Sequence, residues 1–232
     1  MQPYVCAEGD FSIDVADFLI RQANSALIER GVFKLVLSGG RTPVGIFDEL
    51  VIRQEEVEWS KVELFWLDER CVPVDSDQSN FGNCKRSLIN RLKVKPKYFP
   101  MYHSGKAEAC ANEYERVLRA CCESEEFPQF DLILLGVGVD GHVASIFPNS
   151  GALNEVKRWV VSSVAPVAPL ERITLTFPVI NAAKNIVIIA KGKEKKWVFD
   201  AFYDSQVNLA IPVCNIRLKK NTIWFVDDLI VS

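Results

Sequence analysis

The 232 residues include only two histidines, and one of them, His142, closes a glycine-rich run, Gly136-Val137-Gly138-Val139-Asp140-Gly141-His142. An imidazole that titrates near pH ~6.5 can take a proton from water at neutral pH, and a carboxylate such as Asp140 can orient the ring. The other reading of a lone histidine is a hydrogen-bonded structural side chain. The flanking glycines and the position directly after an apolar strand favour catalysis at His142. Ser145 follows closely, but Ala144 and Ile146 beside it make no G-x-S-x-G elbow, so it is a weak nucleophile candidate. His103, in Met101-Tyr102-His103-Ser104-Gly105, reads as structural or solvent-facing. The run also satisfies G-x-G-x-x-G, yet dinucleotide binding is disfavoured. Only Val143 to Phe147 precede Pro148, too short a stretch for the helix that faces a pyrophosphate. Asp140 falls inside the turn, and neither Glu155 nor Glu171 has the spacing of about 20 residues expected of a ribose-binding acid.

Three further groups have chemical potential. In Ser38-Gly39-Gly40-Arg41-Thr42-Pro43, Thr42 suits a helix N-cap and Pro43 the first helical position, so backbone N–H groups converge on a seat for an oxyanion or phosphate. A tight turn without ligand explains the same residues, and the spacing is not that of a P-loop. Asp68-Glu69-Arg70, followed by Asp75, Asp77 and Asn80, can orient hydroxyls and bind an anion, or form a surface salt-bridge cluster. Its place at a strand's carboxyl end favours the former. Arg172 opens a strand and Lys195 follows another, so both can reach a bound phosphate, although Lys193, Lys195 and Lys196 also suit a solvated helix face. Trp66, Trp197 and Trp224 lie in apolar patterns and are expected in the core.

These loops need a scaffold, and the apolar patterning supplies one. Helical spacing runs from Ser12 to a stop at Gly31, then near Pro43 to Leu50, Phe81 to Leu92, Ala107 to Cys122 and Glu194 to Tyr203. Short apolar runs at Val32 to Leu37, Val62 to Leu67, Leu132 to Leu135, Trp159 to Val164, Ile173 to Phe177, Ile186 to Ala190 and Thr222 to Val226 read as strands. Their alternation predicts an α/β fold with a largely parallel, twisted sheet covered by helices on both faces. No linker divides the chain, so residues 1–232 are expected to form one domain. The ligand crevice then lies beyond the carboxyl ends of the strands.

Composition excludes several alternatives. Lys and Arg number 27 against 30 Asp and Glu, a net charge of −3, so no general positive field gathers nucleic acid or anionic lipid. The cysteines, at 6, 71, 84, 110, 121, 122 and 214, have no C-x-x-C spacing and read as reduced thiols rather than zinc ligands or a disulfide framework. No Lys or Arg precedes Arg21, as a signal peptide would require, and no apolar stretch reaches the ~20 residues that span a bilayer. A cytoplasmic protein without a metal site or membrane partner is expected.

Ser38-Gly-Gly-Arg-Thr-Pro43, Trp66-Leu-Asp-Glu-Arg70, Ser79-Asn80, Leu135-Gly-Val-Gly-Val-Asp-Gly-His-Val-Ala-Ser-Ile-Phe-Pro148, Arg172-Ile-Thr-Leu-Thr176 with Ile180-Asn181, and Gly192-Lys-Glu-Lys195 together resemble the 6-phosphogluconolactonases of the glucosamine/galactosamine-6-phosphate isomerase superfamily. The resemblance spans nearly the whole chain in order; Val143 stands where that family usually has Thr. It implies a modified Rossmann-like fold and hydrolysis of 6-phospho-D-glucono-1,5-lactone to 6-phosphogluconate, the second step of the oxidative pentose phosphate pathway, by a monomer or homodimer without cofactor. His142 would activate water, with Asp140 beside it, and the phosphate would meet Gly39, Gly40, Arg70 and Lys195, with Arg172 near. Ser38, Arg41, Thr42, Gly138 and Gly141 would complete the substrate site, and Asp68, Asn80 and Asp140 would serve sugar hydroxyls or histidine orientation. The alternatives are a glucosamine-6-phosphate deaminase/isomerase, whose corresponding histidine is typically followed by Ile-Ala-Phe-Asn-Glu-Pro and a second histidine downstream, and a sugar-phosphate-binding regulator without catalysis.

Overall fold

The computed structural model describes residues 2–7, 9–122, 126–204, 206–216 and 221–231. The first half of the chain contains β1 (Tyr4–Cys6), α1 (Phe11–Arg30), β2 (Phe33–Leu37), α2 (Thr42–Ile52), β3 (Val62–Trp66), β4 (Asp68–Arg70), α3 (Asn80–Ser87), β5 (Lys97–Tyr98) and α4 (Ala107–Cys121). The second half contains β6 (Leu132–Gly136), β7 (Val160–Val164), β8 (Glu171–Leu175), α5 (Phe177–Ala182), β9 (Asn185–Ala190), α6 (Lys196–Tyr203), β10 (Thr222–Asp227) and α7 (Asp228–Val231). The α1 periodicity buries Val15, Ala16, Leu19, Ile20 and Ala23 on one face. Gly31 ends the helix at φ 73°, and its N–H returns to the carbonyl of Leu27.

Seven strands form a parallel sheet in the order β1-β10-β9-β6-β2-β3-β5, with helices on both sides. Its central strands are buried on both faces, as Leu35, Val36 and Leu37 of β2 and Leu132 to Leu135 of β6 show. From β2 the chain steps outward through β3 to β5, then returns to β6 and steps outward the other way through β9 to β10, while β1, the first strand, lies at the edge beyond β10. The topological switch point therefore lies between β2 and β6, where an open α/β sheet forms its ligand crevice.

Beside the parallel sheet stands a second, smaller one, in which β4, β8 and β7 pair antiparallel. The reason is covalent reach, since the connection 165–170 is shorter than the dozen or so residues that a parallel crossover requires. Leu67 joins the two sheets. Its N–H donates to Leu37 O in the parallel sheet and its carbonyl accepts from Leu175 N in the small one, at 2.9 and 2.8 Å. Strand β8 stops at Leu175, because Thr176 and Phe177 turn into α5. The edge strands β1 and β5, of three and two residues, carry too little pattern to be read from sequence.

Candidate active site

At the switch point, the buried Ser38 hydroxyl accepts from the N–H of Gly136 at 3.1 Å and ties the ends of β2 and β6 together. The next residue, Gly39, lies so close to Asn80 that a Cβ there would meet Asn80 Oδ1 at 1.7 Å. Asn80 in turn donates to the carbonyl of Asp68 at 2.9 Å and to its carboxylate at 3.3 Å. The other oxygen of Asp68 accepts the Ser145 hydroxyl at 2.6 Å. Ser145 is 1 % exposed and committed to that bond, which makes it a strut of the site and not a nucleophile. The chain of contacts thus runs from the β2 turn through Asn80 and Asp68 to the histidine loop.

Glu69, between two candidate ligands, faces the opposite way. Its carboxylate accepts from the N–H groups of Arg70, Asn80 and Phe81, each at 2.7 Å, and from the Ser79 hydroxyl at 3.1 Å. Burial pushes this carboxyl upward from its ordinary range, while the three backbone N–H groups pull it down. Glu69 thereby caps the first turn of α3 together with Ser79, whose hydroxyl accepts from Gly82 N at 2.9 Å, and so holds Asn80 in place. Period-2 alternation in Asp68-Glu69-Arg70 is the sequence signal that separates Glu69 from its neighbours.

The histidine loop is a turn, and no helix follows it over 143–150. Gly138 N donates to His142 O at 2.8 Å, Val137 bridges Val143, and Gly141, at φ 80°, accepts from Val213 N at 3.0 Å. Trp197, expected in the core, is 47 % exposed. Its indole N–H instead reaches the carbonyl of Val139 at 2.9 Å and fixes α6 to the loop. These restraints bring His142 Nδ1 to 2.5 Å from Asp140 Oδ1, with the Phe147 ring against the imidazole at 4.8 Å. Burial alone would raise the Asp140 carboxyl, but the charge and hydrogen bonds of His142 outweigh it and hold that carboxyl below its usual value. In the neutral ring, an Nδ1–H directed at the carboxylate leaves the lone pair on Nε2. A Cβ on Gly138 would lie 2.1 Å from His142 Nδ1 and 2.7 Å from Asp140 Oδ1, so the dyad forms only against glycine. His103 is exposed.

The candidate cations occupy two places. Arg70 and Arg172 are direct partners across β4 and β8. Arg70 donates to Gln78 O at 2.8 Å, whereas Arg172 is 6 % exposed and its buried Nη1 has no hydrogen-bond partner among the described residues. Burial lowers the Arg172 guanidinium, the neighbouring charge of Arg70 adds to this, and Asp68 opposes it. Lys195 is likewise lowered by burial and by Arg41, against Glu194 and Asp227. Thr42 is not the cap that was expected. Helix α2 begins on it, and the preceding Arg41 holds the N-cap position without a side-chain bond, so the first turn keeps its N–H groups unmatched by a side chain. Gly40, at φ 92°, has open space beside its Cα.

Residues 7–224 match the family of glucosamine-6-phosphate isomerases and 6-phosphogluconolactonase. The chain belongs to this family. Among curated members, 6-phosphogluconolactonase 3, chloroplastic, of Arabidopsis thaliana is 36 % identical over 95 % of this chain and 71 % of its own length. The 6-phosphogluconolactonase of Mycobacterium tuberculosis is 34 % identical over 90 % of this chain and 88 % of its own. The crystal structure of 6-phosphogluconolactonase from Thermotoga maritima superposes with a TM-score of 0.82 at 30 % identity, covering 98 % of this chain and 100 % of the other. The α/β architecture of this glucosamine-6-phosphate isomerase/6-phosphogluconolactonase family member is thus that of its relatives, the small antiparallel sheet included in the matched length.

Proposed function

We propose that the protein is a 6-phosphogluconolactonase that hydrolyses 6-phospho-D-glucono-1,5-lactone to 6-phospho-D-gluconate, with His142 as general base. The observation that carries the base assignment is the His142–Asp140 pair at 2.5 Å in a loop at the switch point. Nε2 removes a proton from water as the oxygen attacks C1 of the lactone. The tetrahedral oxyanion then collapses, the bond from C1 to the ring oxygen breaks, and the imidazolium returns its proton to that oxygen. Asp140 stabilises the imidazolium formed in between. A lactone carbonyl is already electrophilic, so this chemistry asks for no metal or organic cofactor.

The phosphate is assigned to the N–H groups of Gly39 and Gly40 and to Arg70, Arg172 and Lys195, with Arg41 and Thr42 at the start of α2. Ser38, Asp68 and Asn80 shape the floor through their bonds to Gly136 and Ser145. Gly138 and Gly141 allow the histidine turn. The loops from Ser38 to Lys195 serve one crevice, so residues 1–232 act as one domain. Seven free cysteines support a reducing compartment, the cytoplasm, and no helix among the described residues is long and apolar enough to cross a membrane. Against the deaminase reading, His142 is followed by Val-Ala-Ser-Ile-Phe-Pro and no histidine occurs after it.

The test is hydrolysis of freshly generated lactone above its spontaneous rate. His142→Ala is expected to abolish enzymatic turnover while 6-phosphogluconate still binds; full activity in that variant removes the base assignment. Ammonia release from glucosamine 6-phosphate, with no lactone hydrolysis, replaces the lactonase reading by the deaminase.

A further inference from the structure

In the small sheet, Arg70 lies opposite Arg172, and Arg172 lies opposite Ser163. Directly opposed residues of an antiparallel ladder share a face, with Cβ atoms about 5 Å apart. The two guanidinium stems and the Ser163 hydroxyl therefore stand in one row across the three strands. Two residues along on the same face is the row Asp68, Thr174 and Val161. That row holds the histidine loop, since Ser145 gives its hydroxyl to Asp68 and its N–H to Thr174 Oγ1 at 3.2 Å. The face carrying Ser163 is thus the face that meets the histidine loop. Its neighbour Ser162 points the other way and donates to Glu108 at 2.7 Å.

Ser163 is 8 % exposed and its hydroxyl has no partner among the described residues; Nη1 of its cross-strand neighbour Arg172 also lacks one there. Two buried polar groups side by side without partners are costly to a fold, and two adjacent guanidiniums repel. One ligand chemistry removes all three penalties: an oxyanion that accepts from both arginines and from the hydroxyl. Resting on the reading of Arg70 and Arg172 as phosphate ligands, we propose that Ser163 is a third member of that seat. Its hydroxyl donates to an oxygen of the substrate phosphate, so that each strand of the small sheet contributes one donor and the row selects phosphorylated over unphosphorylated lactones.

Calorimetric titration of 6-phosphogluconate and of inorganic phosphate, alongside KM and kcat, tests this. Ser163→Ala is expected to raise KM and both dissociation constants about tenfold, the loss of one charge-assisted hydrogen bond, with kcat within twofold. Ser163→Thr, which keeps the hydroxyl, recovers most of the affinity, and Ser162→Ala leaves it unchanged. Unaltered affinities in Ser163→Ala, while Arg172→Ala loses phosphate, overturn the role of Ser163 alone. Unaltered affinities in both overturn the phosphate assignment with it. A wild-type protein that binds phosphate through Ser163 and Arg172 but does not hydrolyse the lactone leaves this seat standing and removes the lactonase reading.

Discussion

Gly138→Ala separates the dyad from every other part of the site. The backbone of Gly138 lies outside the left-handed region, so alanine meets no conformational strain, and the N–H bond to His142 O is kept. Only the new methyl matters. It would sit 2.1 Å from His142 Nδ1, 2.2 Å from Cε1 and 2.7 Å from Asp140 Oδ1, where ordinary contact begins at 3.4 Å. The ring must therefore retreat by roughly 1 Å or more, a misplacement of the kind that costs about 10²-fold in rate. That factor corresponds to about 2.7 kcal/mol of transition-state stabilisation. The His142 side chain is 34 % exposed, so it can swing outward without unfolding the loop. The expected result is kcat for freshly generated lactone reduced about 100-fold, with the midpoint of thermal unfolding and the affinity for 6-phosphogluconate near those of the parent. A variant whose kcat stays within threefold of the parent refutes the claim that the 2.5 Å contact between His142 and Asp140 positions the base.

Two further perturbations probe the supports of the site. Glu69→Gln replaces a carboxylate that accepts four hydrogen bonds by an amide whose NH₂ opposes some of those donors. A loss of about 2–3 kcal/mol in urea unfolding is expected, and a change below about 0.5 kcal/mol shows that α3 is anchored by other means. For Lys195, burial and Arg41 lower the ammonium pKa against Glu194 and Asp227, so as pH rises its charge is lost before an ordinary lysine would lose it. Binding of 6-phosphogluconate should therefore weaken as pH rises into that range, and Lys195→Arg, which stays charged, should flatten the profile. An identical alkaline profile in that variant removes Lys195 from the phosphate seat.

Much of the scaffold is legible in local patterns because short-range physics decides them. The apolar spacing of α1 and the glycine that ends it need no tertiary information, and neither do the doubly buried strands β2, β3, β6 and β9. The short connection between β7 and β8 already forbids a parallel crossover, so their antiparallel pairing could have been read from chain length. Trp197 shows the limit of pattern reasoning: it lies in an apolar stretch, yet its indole N–H is drawn to a carbonyl in a loop 58 residues away.

The sequence alone determined the histidine turn, because Asp140 and His142 are two residues apart and glycines at 138 and 141 leave few conformations for the backbone between them. It also determined which residue types follow each strand, and so the chemistry offered to the crevice. Tertiary structure decided which of them meet. Asp68 and Ser145 are 77 residues apart, Ser38 and Gly136 98, and Arg70, Arg172 and Ser163 share a row only through strand register. A one-residue slip in that register would turn every side chain of a strand to the other face, so such a row exists only where the packing of the whole small sheet holds the register in place.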